Sequence, residues 1–249
     1  MKIFITGVSS GIGKALFKKL IQQGHFVWGI SKDNLPDDLK NNLSQSRSFY
    51  SVCDVSKEED VIKVASEMEK ANFLPDVVVL NAGIERKDLL EGYKNKIAKD
   101  VFDVNFFGAL IWVEVFINKF QKRGSGKFIA ISSLFAKRPD IDSSSYCSSK
   151  SALSMAFRSF YLRYYKNNID FTNIYFGPVD TNISSSYKKT GSKKSFFVIS
   201  PEEAATGIIK AINGKKSSYY FPFFVSLAIN LTSFFSDLIF FKITRFFRR

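Results

Sequence analysis

Lys2-Ile3-Phe4-Ile5-Thr6-Gly7-Val8-Ser9-Ser10-Gly11-Ile12-Gly13 carries an apolar run of strand length straight into a glycine-rich turn and the start of a helix-period segment. Glycines let such a turn tighten and let a pyrophosphate approach the backbone. The free N–H groups and positive potential at a helix N-terminus then favour the anion. A glycine-rich turn alone is a weak signal. This one stands between a strand and a helix, the context a dinucleotide-binding βαβ unit requires.

Outward from this stretch, strand-length apolar runs alternate with helix-period segments, which predicts βαβ units and a parallel sheet. Strands are expected near 2–6, 25–30, 48–52, 76–80, 127–132, 169–175 and 217–221. Helices are expected near 11–23, 57–71, 97–121, 146–167 and 201–213. Val77-Val78-Val79-Leu80 and Phe128-Ile129-Ala130-Ile131 are unbroken, as strands covered on both faces should be. The expected fold is α/β, a Rossmann-type doubly wound parallel sheet of about seven strands with helices on both faces. No repeat or linker divides residues 1–221, which read as a single domain, with 222–249 as a C-terminal extension. The serine- and lysine-rich stretch 182–199 is too long for plain filler and reads as a mobile lid.

The 249 residues suffice for one large domain with a sizeable core. Two cysteines, Cys53 and Cys147, without CxxC spacing give no disulfide framework, and with His25 as the sole histidine a metal site has almost no ligands. The N-terminus reads as the first strand rather than a secretory signal. A cytoplasmic location is therefore expected. The formal charge of +13 calls for an anionic partner: a phosphorylated cofactor, an acidic membrane or, third, nucleic acid. No helix-turn-helix, zinc-finger or RNA-binding signature is present, so nucleic acid is not expected as a partner.

Residues 219–249 differ in composition, being dense in phenylalanine. On a helical wheel Ser226, Asn230, Ser233, Asp237, Thr244 and Arg248 fall along one stripe, the pattern of an amphipathic helix. Asp237 would be costly in a bilayer core, so peripheral attachment to a membrane surface is expected over spanning. Packing of this helix on the body or on a second subunit is the alternative. A lipid-like substrate would follow from attachment.

Gly29-Ile30-Ser31-Lys32 ends the second strand, where an acid would accept bonds from an adenosine ribose and repel a 2′-phosphate. A hydroxyl and a cation there favour NADP(H). Asp33 follows, and a shift of one residue would favour NAD(H) instead.

Tyr146-Cys147-Ser148-Ser149-Lys150 sets a phenol and an ammonium one helical turn apart, on one face, with Ser133 thirteen positions upstream. A phenol titrates near ~10 and trades protons poorly at neutral pH unless its anion is stabilised. A neighbouring cation does this, and a serine can hold a substrate oxygen beside it.

With these motifs in order, the chain resembles a short-chain dehydrogenase/reductase from residue 2 to about 221. The further motifs are Cys53-Asp54-Val55, Asn81-Ala82-Gly83-Ile84, Asn105-Phe106-Phe107-Gly108, Ser132-Ser133 and Gly177-Pro178-Val179-Asp180-Thr181. The resemblance implies an oxidoreductase that interconverts a carbonyl and an alcohol. Tyr146 would be its general acid, Lys150 would lower the phenol's pKa and bond the nicotinamide ribose, and Ser133 would polarise the carbonyl. Asn105 would hold a water linking Lys150 to solvent. Gly7, Ser9, Ser10, Gly11, Ile12 and Gly13 would hold the pyrophosphate region. Ser31 and Lys32 would meet the 2′ position, Asp54 and Val55 the adenine, and Asn81, Ala82 and Gly83 the ribose. Gly177, Val179 and Thr181 would meet the nicotinamide side. Phe176-Gly177-Pro178 stands where many relatives have Pro-Gly, which puts the local backbone in question. The family implies a homo-oligomer. The alternative function is a catalytically weak NADP(H) sensor or a scaffold at a membrane surface. Simpler roles are expected for Cys147 and His25 as structural residues and for Trp28 and Trp112 as core; Lys188 to Lys194 read as a solvated loop or as recognition of an acidic substrate.

Overall fold

A computed structural model describes residues 1–44, 47–89, 92–181, 198–232 and 235–247. Seven strands form one sheet: β1 Lys2–Thr6, β2 Phe26–Ser31, β3 Phe49–Val52, β4 Val77–Leu80, β5 Gly126–Ser133, β6 Ile169–Phe176 and β7 Ser218–Phe221. Their order is β3-β2-β1-β4-β5-β6-β7, and every pairing is parallel. The chain leaves β1 toward β2 on one side and reaches β4 on the other. A crevice therefore opens beyond the carboxyl ends of β1 and β4, where ligands of such sheets bind.

Alternation along each strand divides the core. Ile3 and Ile5 of β1 face α1 (Gly11–Gln22) and α7 (Pro201–Asn213), through Leu16, Phe17, Leu20, Ala204 and Ile208. Phe4, between them, faces α3 (Glu58–Lys70), α5 (Gly108–Arg123) and α6 (Ser144–Tyr164), through Val64, Trp112, Phe116 and Phe157. Both sides of the sheet are thus covered, which is why its strands read as continuous apolar runs. Helix α7 starts where Ser200 and Glu203 form a reciprocal capping box behind Pro201. Trp28 and Trp112 fill the core as expected, and Cys53 and Cys147 are buried thiols.

The predicted strands and long helices all form. A short helix that the hydrophobic pattern does not announce, α2 (Asp37–Ser44), lies between β2 and β3; it is largely polar, and Leu39 is its buried contact. The predicted helix over 97–121 is broken into α4 (Asn95–Phe102) and α5 by a widened π turn at Asp103–Phe107. Phe176 does not disturb β6, whose pairing with Phe221 continues to that residue. The tail is helical, but as two helices, α8 (Phe223–Thr232) and α9 (Asp237–Phe247), rather than one. Ser226 does not face water on the predicted polar stripe: it is buried and its Oγ donates to the Pro222 carbonyl. The predicted lid, but for its last residues, and Lys188 to Lys194, Ser233, Phe234 and Arg248 lie outside the described residues.

Candidate active site

The glycine-rich turn takes its shape from close approach of backbone to backbone. Gly7 has φ +74°, and a Cβ there would sit 2.8 Å from the Ala82 Cα. A Cβ on Gly13 would run into the Gly7 carbonyl oxygen, so helix α1 can press against the turn only with glycine. Asn81 braces the same turn: its Nδ2 donates to the Thr6 and Gly7 carbonyls at 3.0 and 2.9 Å. Thr6 Oγ1 in return accepts from the backbone N–H groups of Asn81 and Ala82.

At the end of β2, Ser31 is buried, and its Oγ accepts from the Ser9 N–H and donates to Ser9 Oγ at 3.0 Å. Its hydroxyl thereby braces the turn while Ser31 borders the cavity. Lys32 is the exposed group of the pair, 3.3 Å from the Asp54 carboxylate. Burial acts to raise the Asp54 pKa, but bonds from Ser56 and Lys32 prevail and hold it below the ordinary value.

Ser133 closes β5, with its Oγ accepting from the Phe135 N–H at 3.1 Å. Helix α6 carries Tyr146 and Lys150 one turn apart, and its N-terminus is fixed from outside by Asp88. This carboxylate accepts from the Ser144 hydroxyl at 2.8 Å, from the Ser145 N–H at 3.0 Å and from the Ser145 hydroxyl. A carboxylate at that position also complements the helix dipole. Asp88 is thus a positioning residue that the sequence motifs did not reveal, because it caps from 56 positions upstream of Ser144.

Lys150 is buried, and its Nζ donates to the Ile131 carbonyl at 2.8 Å, 5.9 Å from the centre of the Tyr146 ring. Burial pushes its pKa down to about 8. The Tyr146 phenol stands above its ordinary value. Burial is the main cause and the Glu85 carboxyl adds to it, while a hydrogen bond with Ser133 acts the other way. Lys150 Nζ is held by the Ile131 carbonyl, within one helical turn of the phenol. Glu85 itself is raised by burial, against a bond from Ser143.

These elements border one cavity of about 1180 Å³. It brings together Gly7, Ser9, Ser10, Gly11, Ile12, Ser31, Lys32, Asp54, Val55, Asn81, Ala82, Gly83, Ser133, Tyr146, Lys150, Gly177, Val179 and Thr181. Two predicted residues stand behind its wall. Gly13 packs under the turn, and Asn105 is wholly buried in the π turn. Asn105 Oδ1 accepts from the Ile84 N–H at 2.8 Å, while Nδ2 donates to the Ile84 carbonyl and to Ser149 Oγ. A Cβ on Gly83 would lie 3.2 Å from both Asn105 Oδ1 and Lys150 Nζ, so a side chain there would press on both.

The turn at one end is a cradle that added Cβ atoms would fill, with a helix N-terminus behind it, which fits a dinucleotide's pyrophosphate. The other end offers a phenol, a hydroxyl and a buried amine. Such a set can hold a carbonyl oxygen and exchange a proton with it. Sequence reasoning also missed Glu85, Phe135, Arg138 and the tail residues Phe224, Val225, Ile229 and Phe240; all but Arg138 line the cavity. Glu85 directly follows the Asn81–Ile84 motif and could have been flagged by position. The tail residues carry no such signal.

A family model described as short chain dehydrogenase matches residues 1–191. An uncharacterized oxidoreductase of Staphylococcus haemolyticus is 30% identical over 84% of this chain and 89% of its own. The 3-oxoacyl-[acyl-carrier-protein] reductase of Buchnera aphidicola is 28% identical over 87% and 91%. Among solved structures, a short chain dehydrogenase from Burkholderia cenocepacia in complex with NADP superposes with a TM-score of 0.79, at 21% identity, over 96% of this chain and 94% of that one.

Proposed function

This chain belongs to the short-chain dehydrogenase family, and from that membership we propose an NADP(H)-dependent oxidoreductase that interconverts a carbonyl and an alcohol, with Tyr146 as general acid and base. The observation that carries the reading is the meeting of Ser133, Tyr146 and Lys150 in one cavity with the glycine cradle. A nicotinamide dinucleotide, when bound, supplies the hydride in reduction and takes it in oxidation. Gly7 and Ser9 to Ile12 would hold its pyrophosphate, Asp54 and Val55 its adenine, and Asn81 to Gly83 its ribose. Gly177, Val179 and Thr181 would border its nicotinamide.

The protein's own part is proton delivery and positioning. Ser133 bonds the carbonyl oxygen and orients it. The Tyr146 O–H gives that oxygen its proton in reduction and takes it back in oxidation. A phenol held above its ordinary pKa keeps its proton at neutral pH but gives it up reluctantly, so its anion needs a neighbouring positive charge when it forms. Lys150 supplies positive charge beside the phenolate that forms. Asn105 acts as a positioning residue, fixing Ile84 and Ser149 around the pair.

Preference for NADP(H) over NAD(H) rests on Lys32, whose ammonium is exposed at the end of β2. Turnover of a panel of aldehydes and ketones with NADPH and with NADH tests both parts. Reduction with NADPH preferred is expected. Tight NADPH binding without turnover of any carbonyl would favour the sensor or scaffold reading.

The proposal also takes residues 1–221 as one domain and 222–249 as an extension that touches membrane. Among the described residues no helix is long and apolar enough to cross a membrane. Leu227, Leu231, Leu238 and Ile239 are exposed on α8 and α9, and a net charge of +13 suits anionic lipid. Co-sedimentation of the full chain with phosphatidylglycerol vesicles, but not with the Leu227→Ser/Leu231→Ser variant, is the expected result. A homo-oligomer is proposed as well, and sedimentation equilibrium at micromolar concentration tests it.

A further inference from the structure

We propose that the two tail helices form the substrate wall of the cavity and select carbonyl compounds that carry a hydrocarbon chain. The proposal rests on the oxidoreductase reading and adds the substrate class. One buried side chain holds the wall in place. Arg138 is 7% exposed, and its Nη1 pairs with Asp237 Oδ1 at 2.7 Å. Its Nη2 donates to the Phe235 carbonyl at 2.8 Å and its Nε to Thr232 Oγ1 at 3.3 Å. The guanidinium also lies 5.2 Å from the centre of the Phe240 ring. The end of α8, Phe235 and the first turns of α9 therefore share one clamp.

The clamp belongs to the reacting end of the cavity. Arg138 lies five residues after Ser133, and between them Phe135 meets the Tyr146 ring edge-on at 6.5 Å. From this anchored position the tail adds Phe224, Val225, Ile229 and Phe240 to the cavity wall. Every one of these is apolar. Phe135 and Phe176 continue the apolar surface from the body. Phe224, 79% exposed, lies at the outer edge, so the apolar lining runs out toward solvent. Toward the tail a substrate thus meets hydroxyls at its carbonyl and hydrocarbon beyond, while the polar Glu85 and Arg86 also border the cavity. Small, highly hydrated carbonyl compounds would gain nothing from this wall.

Burying each methylene against such a wall should improve binding about fourfold until the wall is filled. The test compares butan-2-ol with octan-2-ol as ligands of the NADPH-loaded full chain by calorimetry, a pairing in which no hydride can move, in wild type, Phe240→Leu and Ile229→Ser. Octan-2-ol is expected to bind wild type at least 30-fold more tightly, with the ratio falling at least fivefold in either variant while NADPH affinity stays unchanged. Equal affinity for the two alcohols in wild type overturns the wall without any variant having to fold. A ratio left intact in both folded variants overturns it too. Turnover of butan-2-one and octan-2-one is followed in parallel. Chain-length-dependent binding without turnover would leave the wall standing and remove the oxidoreductase reading; turnover with no dependence on length does the reverse.

Discussion

Lys150 Nζ donates to the Ile131 carbonyl at 2.8 Å rather than pointing at the phenol of Tyr146 one helical turn before it. The ammonium is buried, and burial alone depresses its pKa to about 8. The unfolded chain, where a lysine titrates near its ordinary 10.5, therefore binds more protons between about pH 8 and 10.5. Charging Lys150 in the folded state thus costs stability at neutral pH, and that cost fades as pH rises through the window.

Lys150→Met should make the unliganded protein more stable at pH 7, by about 3 kcal/mol from the shift alone. By pH 10 most of the gap to wild type should be gone. Urea titrations at pH 7 and pH 10 check both values. Activity should fall together with the gain in stability, since the strained charge is kept for function.

Glu85 and Tyr146 line the same cavity, and the carboxyl of the first helps to raise the pKa of the second. Glu85→Gln removes that charge, so the phenol should give up its proton at lower pH. The alkaline limb of the pH profile of kcat/KM should move to lower pH, with reduction near neutrality little changed. A limb that stays in place would show that the carboxyl does not reach the proton donor.

Lys32 stands at the end of β2 with its ammonium on Asp54. Lys32→Glu should weaken NADPH binding about tenfold or more, because a charge-assisted bond worth about 1.5 kcal/mol is lost and a like charge is introduced. NADH binding should change much less. Fluorescence titration with both dinucleotides gives the two values.

Much of this was legible along the chain because the sheet is covered on both faces. Val77–Leu80 and Phe128–Ile131 could be read as strands from composition alone, and β1 ends within its predicted bounds at Thr6. The site residues are readable for a related reason: glycine, tyrosine and lysine at fixed spacings are local facts. What stayed hidden depends on distance. Arg138 meets Asp237 across 99 positions, and Asp88 caps α6 from far upstream. The wheel drawn over 219–249 assumed one uninterrupted helix with its polar stripe in water. The break before Asp237 and the burial of Ser226 follow from docking on the body, which periodicity does not encode. Likewise the direction of the Tyr146 shift is set by burial and Glu85, neither of which a YxxxK spacing contains.

The central claim is that the Tyr146 hydroxyl delivers the proton to a carbonyl oxygen, and Tyr146→Phe tests it most directly. Single-turnover oxidation of NADPH in the presence of a reducible ketone should slow by at least 1,000-fold, the loss of a general acid together with its bond to oxygen. NADPH affinity should stay within about twofold of wild type. Hydride transfer at an undiminished rate in this variant would contradict the assignment outright.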